Sequence, residues 1–141
     1  MFGTSLKPTD AYRRVNVESG IESAGPHKLI LMLYDGAILA INSAIVSMEA
    51  KDVPKKGREI SHALEIIGSG LQSSLNLEAG GEIAERLNAL YDYMCNRLLY
   101  ANLKNDPQAL REIADLLQEL RGAWEEIADD PGVLPKTGGN T

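Results

Sequence analysis

Four breaks divide this chain, and between them apolar residues recur at steps of three and four. The breaks are Gly25-Pro26, Asp52-Val53-Pro54, Gly80-Gly81 and Asp106-Pro107, each combining a capping residue with a helix-starting or turn residue. They leave helical segments at about residues 26–50, 54–76, 82–104 and 107–128. Connections this short make successive helices antiparallel neighbours. The expected fold is all-α: an antiparallel up-down four-helix bundle over residues 25–128, with an N-terminal arm at 1–24 and a flexible tail at 129–141.

The periodicity names a core. In the last segment Leu110, Ile113, Leu117, Leu120, Trp124 and Ile127 form one stripe. Ile83, Leu87, Leu90, Met94, Leu98 and Ala101 form another in the third, and Ile60, Leu64, Ile67, Leu71 and Leu75 a third in the second. The first segment carries two adjacent stripes: Leu29, Leu33, Ala37, Ala40, Ala44 and Met48, beside Ile30, Tyr34, Ile38, Ile41 and Ile45. Its polar line, Lys28, Asp35, Asn42 and Glu49, is one residue wide. That is more apolar surface than one bundle seam absorbs. Either the helix is central and covered on several sides, or part of it forms a groove for an amphipathic partner helix.

Formal net charge is −6, and residues 106–130 account for it alone, with eight acidic side chains against Arg111 and Arg121. Such a surface repels phosphate backbones and anionic lipids, which argues against nucleic-acid and membrane partners. Lys51, Lys55, Lys56 and Arg58 are the one contrary cluster, at a turn where a solvated corner is the ordinary reading. The single cysteine, Cys95, has no partner in the chain and suits a reducing compartment. Residues 1–10 lack the apolar run of a secretory signal, and the apolar region 29–48 is interrupted by Asp35, Asn42, Ser43 and Ser47. A cytoplasmic protein is expected.

Catalytic constellations are missing. Glu59-Ile60-Ser61-His62 supplies one Glu-x-x-His pair of a di-iron bundle, but His27 has Ala24 three positions earlier and no third histidine exists. A histidine phosphotransfer domain, with His62 as acceptor, is the alternative reading of the same bundle. There a leucine, a lysine and a glycine follow the histidine; His62-Ala63-Leu64-Glu65-Ile66 keeps only the leucine and places a carboxylate where a phosphoryl group must sit. Cys95 stands beside core Met94 without a nearby histidine. Gly68-Ser69-Gly70 in the second segment reads as close helix approach. No enzyme and no cofactor is expected.

Taken together, the motifs resemble the FliS family, the flagellin-specific export chaperones of bacterial flagellar type III secretion. Ala11-Tyr12 and Val15, Pro26-His27-Lys28-Leu29-Ile30, Leu33-Tyr34-Asp35-Gly36-Ala37, Gly80-Gly81-Glu82-Ile83-Ala84, Leu90-Tyr91-Asp92-Tyr93-Met94, Ala101-Asn102, Asn105-Asp106 and Trp124 fall in the family's order and spacing. Thr9 departs from it, standing where relatives often place an apolar residue. The resemblance implies a bundle that binds the C-terminal segment of flagellin, keeps it from polymerising in the cytoplasm, delivers it to the export gate protein and has a link to the flagellar anti-sigma factor. Combined with the surplus on the first helix, it makes Ile30, Tyr34, Ile38, Ile41 and Ile45 the candidate partner contacts, together with Tyr12 in the arm. The arm, with Tyr12, Val15, Val17 and Ile21, is a candidate lid over that groove.

Overall fold

A computed structural model describes residues 25–127; the arm and the tail lie outside the described residues. Four long helices account for nearly all of it, and no strand occurs among the described residues. Helix α1, Pro26–Glu49, begins with proline at its first position, where the missing N–H costs nothing. Lys51, at φ 62°, reverses the chain behind it. Asp52 then caps α2, Val53–Glu65, its carboxylate accepting the Lys55 N–H at 3.3 Å.

The second helix does not stay regular. It widens into a π-helical stretch, Ile66–Leu71, and tightens into a 3₁₀ turn, Gln72–Ser74. The wide turn lies where the backbone crosses α1: a Cβ on Gly70 would come within 3.1 Å of the Leu33 side chain. Gly70 is therefore a close-approach glycine, whereas Gly68 has open space around it.

Helix α3, Leu77–Lys104, starts five residues earlier than the Gly80-Gly81 break predicts. Asn76 caps a short first turn through the Ala79 N–H at 3.0 Å, and Gly81, at φ 58° and ψ −138°, leaves helical geometry and separates that turn from the long helix that follows, so the break stands where the sequence places it. Asn105, left-handed at φ 53°, ends it. Asp106 caps α4, Pro107–Glu126, by accepting from the N–H groups of Gln108 and Ala109.

Helix α1 packs most extensively, against α2 on one side and α4 on the other, and α3 rests on α4 and on the second helix with its π and 3₁₀ continuation. One apolar cluster fills the centre, including Ile41, Ile60, Ile67, Met94, Leu98, Leu110, Ile113 and Leu117, all fully buried. Each contributes about 1.5–3 kcal/mol relative to exposure. By length and composition α1 would pass for a membrane span, the one such helix among the described residues. Its two apolar stripes are instead lodged in the bundle, while Lys28, Asp35, Asn42 and Glu49 face solvent as the polar line predicts, and so do Leu39 and Val46.

Polar contacts lock both ends. Lys56, a residue only 5 % exposed, donates from its ammonium to the Asn102 carbonyl at 3.0 Å and to Asn105 Oδ1 at 2.7 Å, closing the C-terminus of α3. At the other end His27 and Trp124 stack with ring centroids 5.0 Å apart. The Trp124 indole N–H donates to the His27 carbonyl at 3.0 Å, and His27 Nε2 lies 2.6 Å from the Trp124 carbonyl. Along the α1–α4 seam Arg121 grips Asp35 and Arg111 grips Glu49. The Asp35 carboxylate, by its hydrogen bond above all, holds the Arg121 guanidinium above its usual range.

Candidate partner-binding surface

Five of the six contacts expected from the sequence come together, but inside the protein. Ile30, Tyr34, Ile38 and Ile41 are buried, and Ile45 is half-buried against the same cluster. Tyr12 lies outside the described residues. Neighbours on both flanks of α1, with Tyr91 reaching across from α3, cover both stripes, and of the large apolar side chains of α1 only Leu39 and Val46 stay exposed. The groove expected on α1 is not open in this structure.

Exposed apolar surface gathers elsewhere. Of the nine large apolar side chains exposed among the described residues, six belong to α3: Leu77, Ile83, Tyr93, Leu99, Tyr100 and Leu103. Ile83 was expected in the core stripe and is instead 69 % exposed, because the inward line of α3 runs through Ala84, 5 % exposed, to Leu87, Tyr91, Met94, Leu98 and Ala101. Toward the C-terminal half, Asn96, Leu99, Tyr100 and Leu103 stand at i, i+3, i+4 and i+7, a continuous stripe on the solvent side. The Arg97 guanidinium lies 4.9 Å from the centre of the Tyr100 ring and bonds Glu112 at 3.1 Å. Tyr93 donates to the same Glu112, and that bond to a carboxylate, followed by desolvation, raises its phenol above the ordinary range. The sequence signal was present: Leu99 and Leu103 fall off the Met94-Leu98-Ala101 core stripe at their own four-residue spacing.

Beside that stripe a shallow groove runs between α2 and α3, lined by Val53, Pro54, Gly57, Arg58, Ser61, His62, Glu65 and Asn102. His62 is an exposed wall of it, with Glu65 one turn on. Glu59 is turned away from His62, accepting the Ser47 hydroxyl of α1 at 2.8 Å. Among the described residues no three His, Cys, Asp or Glu side chains gather to hold a metal ion. Burial pushes the half-buried Cys95 thiol up, and the Asp92 charge adds to it, which makes a poor nucleophile.

A bundle with a closed core and an apolar stripe on its outside is suited to holding another chain. Residues 8–131 match the family model described as Flagellar protein FliS. The chain belongs to the FliS family. It is 50 % identical over 118 residues to the flagellar secretion chaperone FliS of Salmonella typhimurium, covering 84 % of this chain and 87 % of that protein. The FliS chaperone of Vibrio cholerae is 42 % identical over 117 residues, covering 83 % and 85 %. That of Bacillus subtilis is 32 % identical over 119 residues, covering 84 % of each. Membership in FliS makes this a chaperone-family chain of flagellar secretion.

Proposed function

We propose that this protein is a cytoplasmic chaperone that binds the C-terminal segment of flagellin, keeps it from polymerising and hands it to the flagellar export gate. The family supports the export role, and the exposed stripe Asn96, Leu99, Tyr100 and Leu103 supports the mode of holding. A segment unfolded before assembly gains most by folding as an amphipathic helix on a ready apolar surface. The docking surface is then the outer face of α3 and the adjoining α2–α3 groove, rather than the buried stripe of α1. The flagellar anti-sigma factor is a second partner on the strength of the family alone.

Co-expression with the flagellin of the same organism tests this directly. A one-to-one complex should co-purify with full-length flagellin and be lost when flagellin lacks its C-terminal segment. Retention of the truncated flagellin would sink the assignment of that segment.

A further inference from the structure

The α2–α3 groove has two unlike edges. On the α3 edge Leu99 and Leu103 are apolar and more than half exposed, with Asn102 between them in the groove wall. On the α2 edge Lys55, Arg58 and His62 recur at three- and four-residue spacing, spanning about 10 Å of helix; Arg58 and His62 line the groove, with Glu65 at its far end and Lys55 one turn ahead of it. All three are exposed. Arg86, Arg97, Arg111 and Arg121 each hold a carboxylate, whereas Arg58 is the one arginine among the described residues in no ion pair. Lys55 likewise holds no carboxylate with its ammonium.

On a chain of net charge −6, an unpaired basic edge beside an open groove is a charge selector. The groove can take a helix closely, since Gly57 offers no Cβ and nothing lies within 4 Å of where one would be. We infer that Lys55 and Arg58 are specificity-determining residues: they set the register of the bound segment by pairing with carboxylates on one edge of its helix, while its apolar edge lies on Leu99 and Leu103. This rests on the reading of the surface as the site for the flagellin segment. It adds that the segment must carry Asp or Glu at three- or four-residue spacing next to its apolar stripe, and that binding weakens with salt.

The full-length chain and a fluorescent peptide of the cognate flagellin C-terminal segment provide the test, with anisotropy read at low and high NaCl. The double variant Lys55→Glu/Arg58→Glu should keep its helical spectrum and melting temperature, bind about tenfold more weakly and lose most of its salt dependence. A peptide with Lys in place of the edge carboxylates should bind the wild type poorly and recover on the double variant. Ser61→Trp, which fills the groove without changing charge, should weaken the native peptide as well.

Unchanged affinity in the double variant, with salt-independent binding, would overturn the charge selection and leave the flagellin reading standing. Failure of the wild-type chain to bind the peptide at all would overturn both. A cognate segment without carboxylates at that spacing overturns the selector before any variant is made.

Discussion

The hydroxyls of Tyr34 and Tyr91 meet at 2.7 Å in the centre of the bundle, tying α1 to the diagonally opposite α3. Both side chains are buried, at 3 % and 2 % exposure, so each phenol oxygen needs a partner inside the protein. Tyr34→Phe removes one side of this bond without changing the packed volume. It should cost about 1 kcal/mol, and Tyr34→Ala roughly 3–5 kcal/mol. Urea melts of the two variants, paired with flagellin-segment titrations, check this: stability should fall in that order while affinity of the folded protein is unchanged.

The same burial sets a pH dependence. Desolvation pushes the Tyr34 phenol above its ordinary 10.0, and the Tyr91 bond pulls back only partly. A raised folded value means the folded state keeps the proton more tightly than the unfolded chain. The stabilisation is fully present below pH 10.0, where both states are protonated, and is lost as pH rises through the folded value. Wild type should therefore lose stability in the alkaline range, and Tyr34→Phe should lose less over the same interval. Equal alkaline slopes for the two proteins would contradict this.

Lys56 gives a second stability prediction. Its ammonium is the closure of α3, satisfying the Asn102 carbonyl left over at the helix end and fixing the left-handed Asn105. Lys56→Ala should cost about 1–3 kcal/mol, because it removes two hydrogen bonds from a charged donor together with the packing of a buried stem. The measured sign should be a lower urea midpoint with an unchanged slope. A Lys56→Ala protein as stable as wild type would show that water replaces the ammonium at no cost.

Helix number, order and most core positions were legible because they depend on local spacing. Met94, Leu98 and Ala101 on α3, and Leu110, Ile113 and Leu117 on α4, are buried where their periodicity places them. The short turn that Asn76 caps ahead of Gly81 was not legible, since a two-glycine break reads the same with or without a helical turn before it. Lys56 was read with its basic neighbours, but it is buried, because the carbonyl and amide that receive it come from α3, 46 and 49 residues away. The exposure of each apolar stripe escaped the sequence for a related reason. Periodicity measures how apolar a helix is, and the exposure of each stripe depends on which helices pack beside it. The two stripes of α1 are covered, and the second stripe of α3, through Leu99 and Leu103, is open.

That contrast makes a decisive pair of variants. Leu99 is 53 % and Leu103 77 % exposed, so Leu99→Asp/Leu103→Asp removes little buried area from the free protein. Its stability should stay within about 0.5 kcal/mol for each site. If the flagellin segment covers this stripe, each leucine contributes roughly 1–2 kcal/mol to the complex, and the double variant should bind more than about tenfold more weakly. Ile41→Ala acts in reverse: Ile41 is fully buried, so the change should cost about 2–5 kcal/mol of stability and leave affinity of the remaining folded protein intact. Measuring melting temperature and segment affinity on both proteins separates the helices. A stable Leu99→Asp/Leu103→Asp protein with wild-type affinity would remove α3 from the interface. Reduced affinity in a still-folded Ile41→Ala protein would return the contact to α1, through an opening of the bundle on binding.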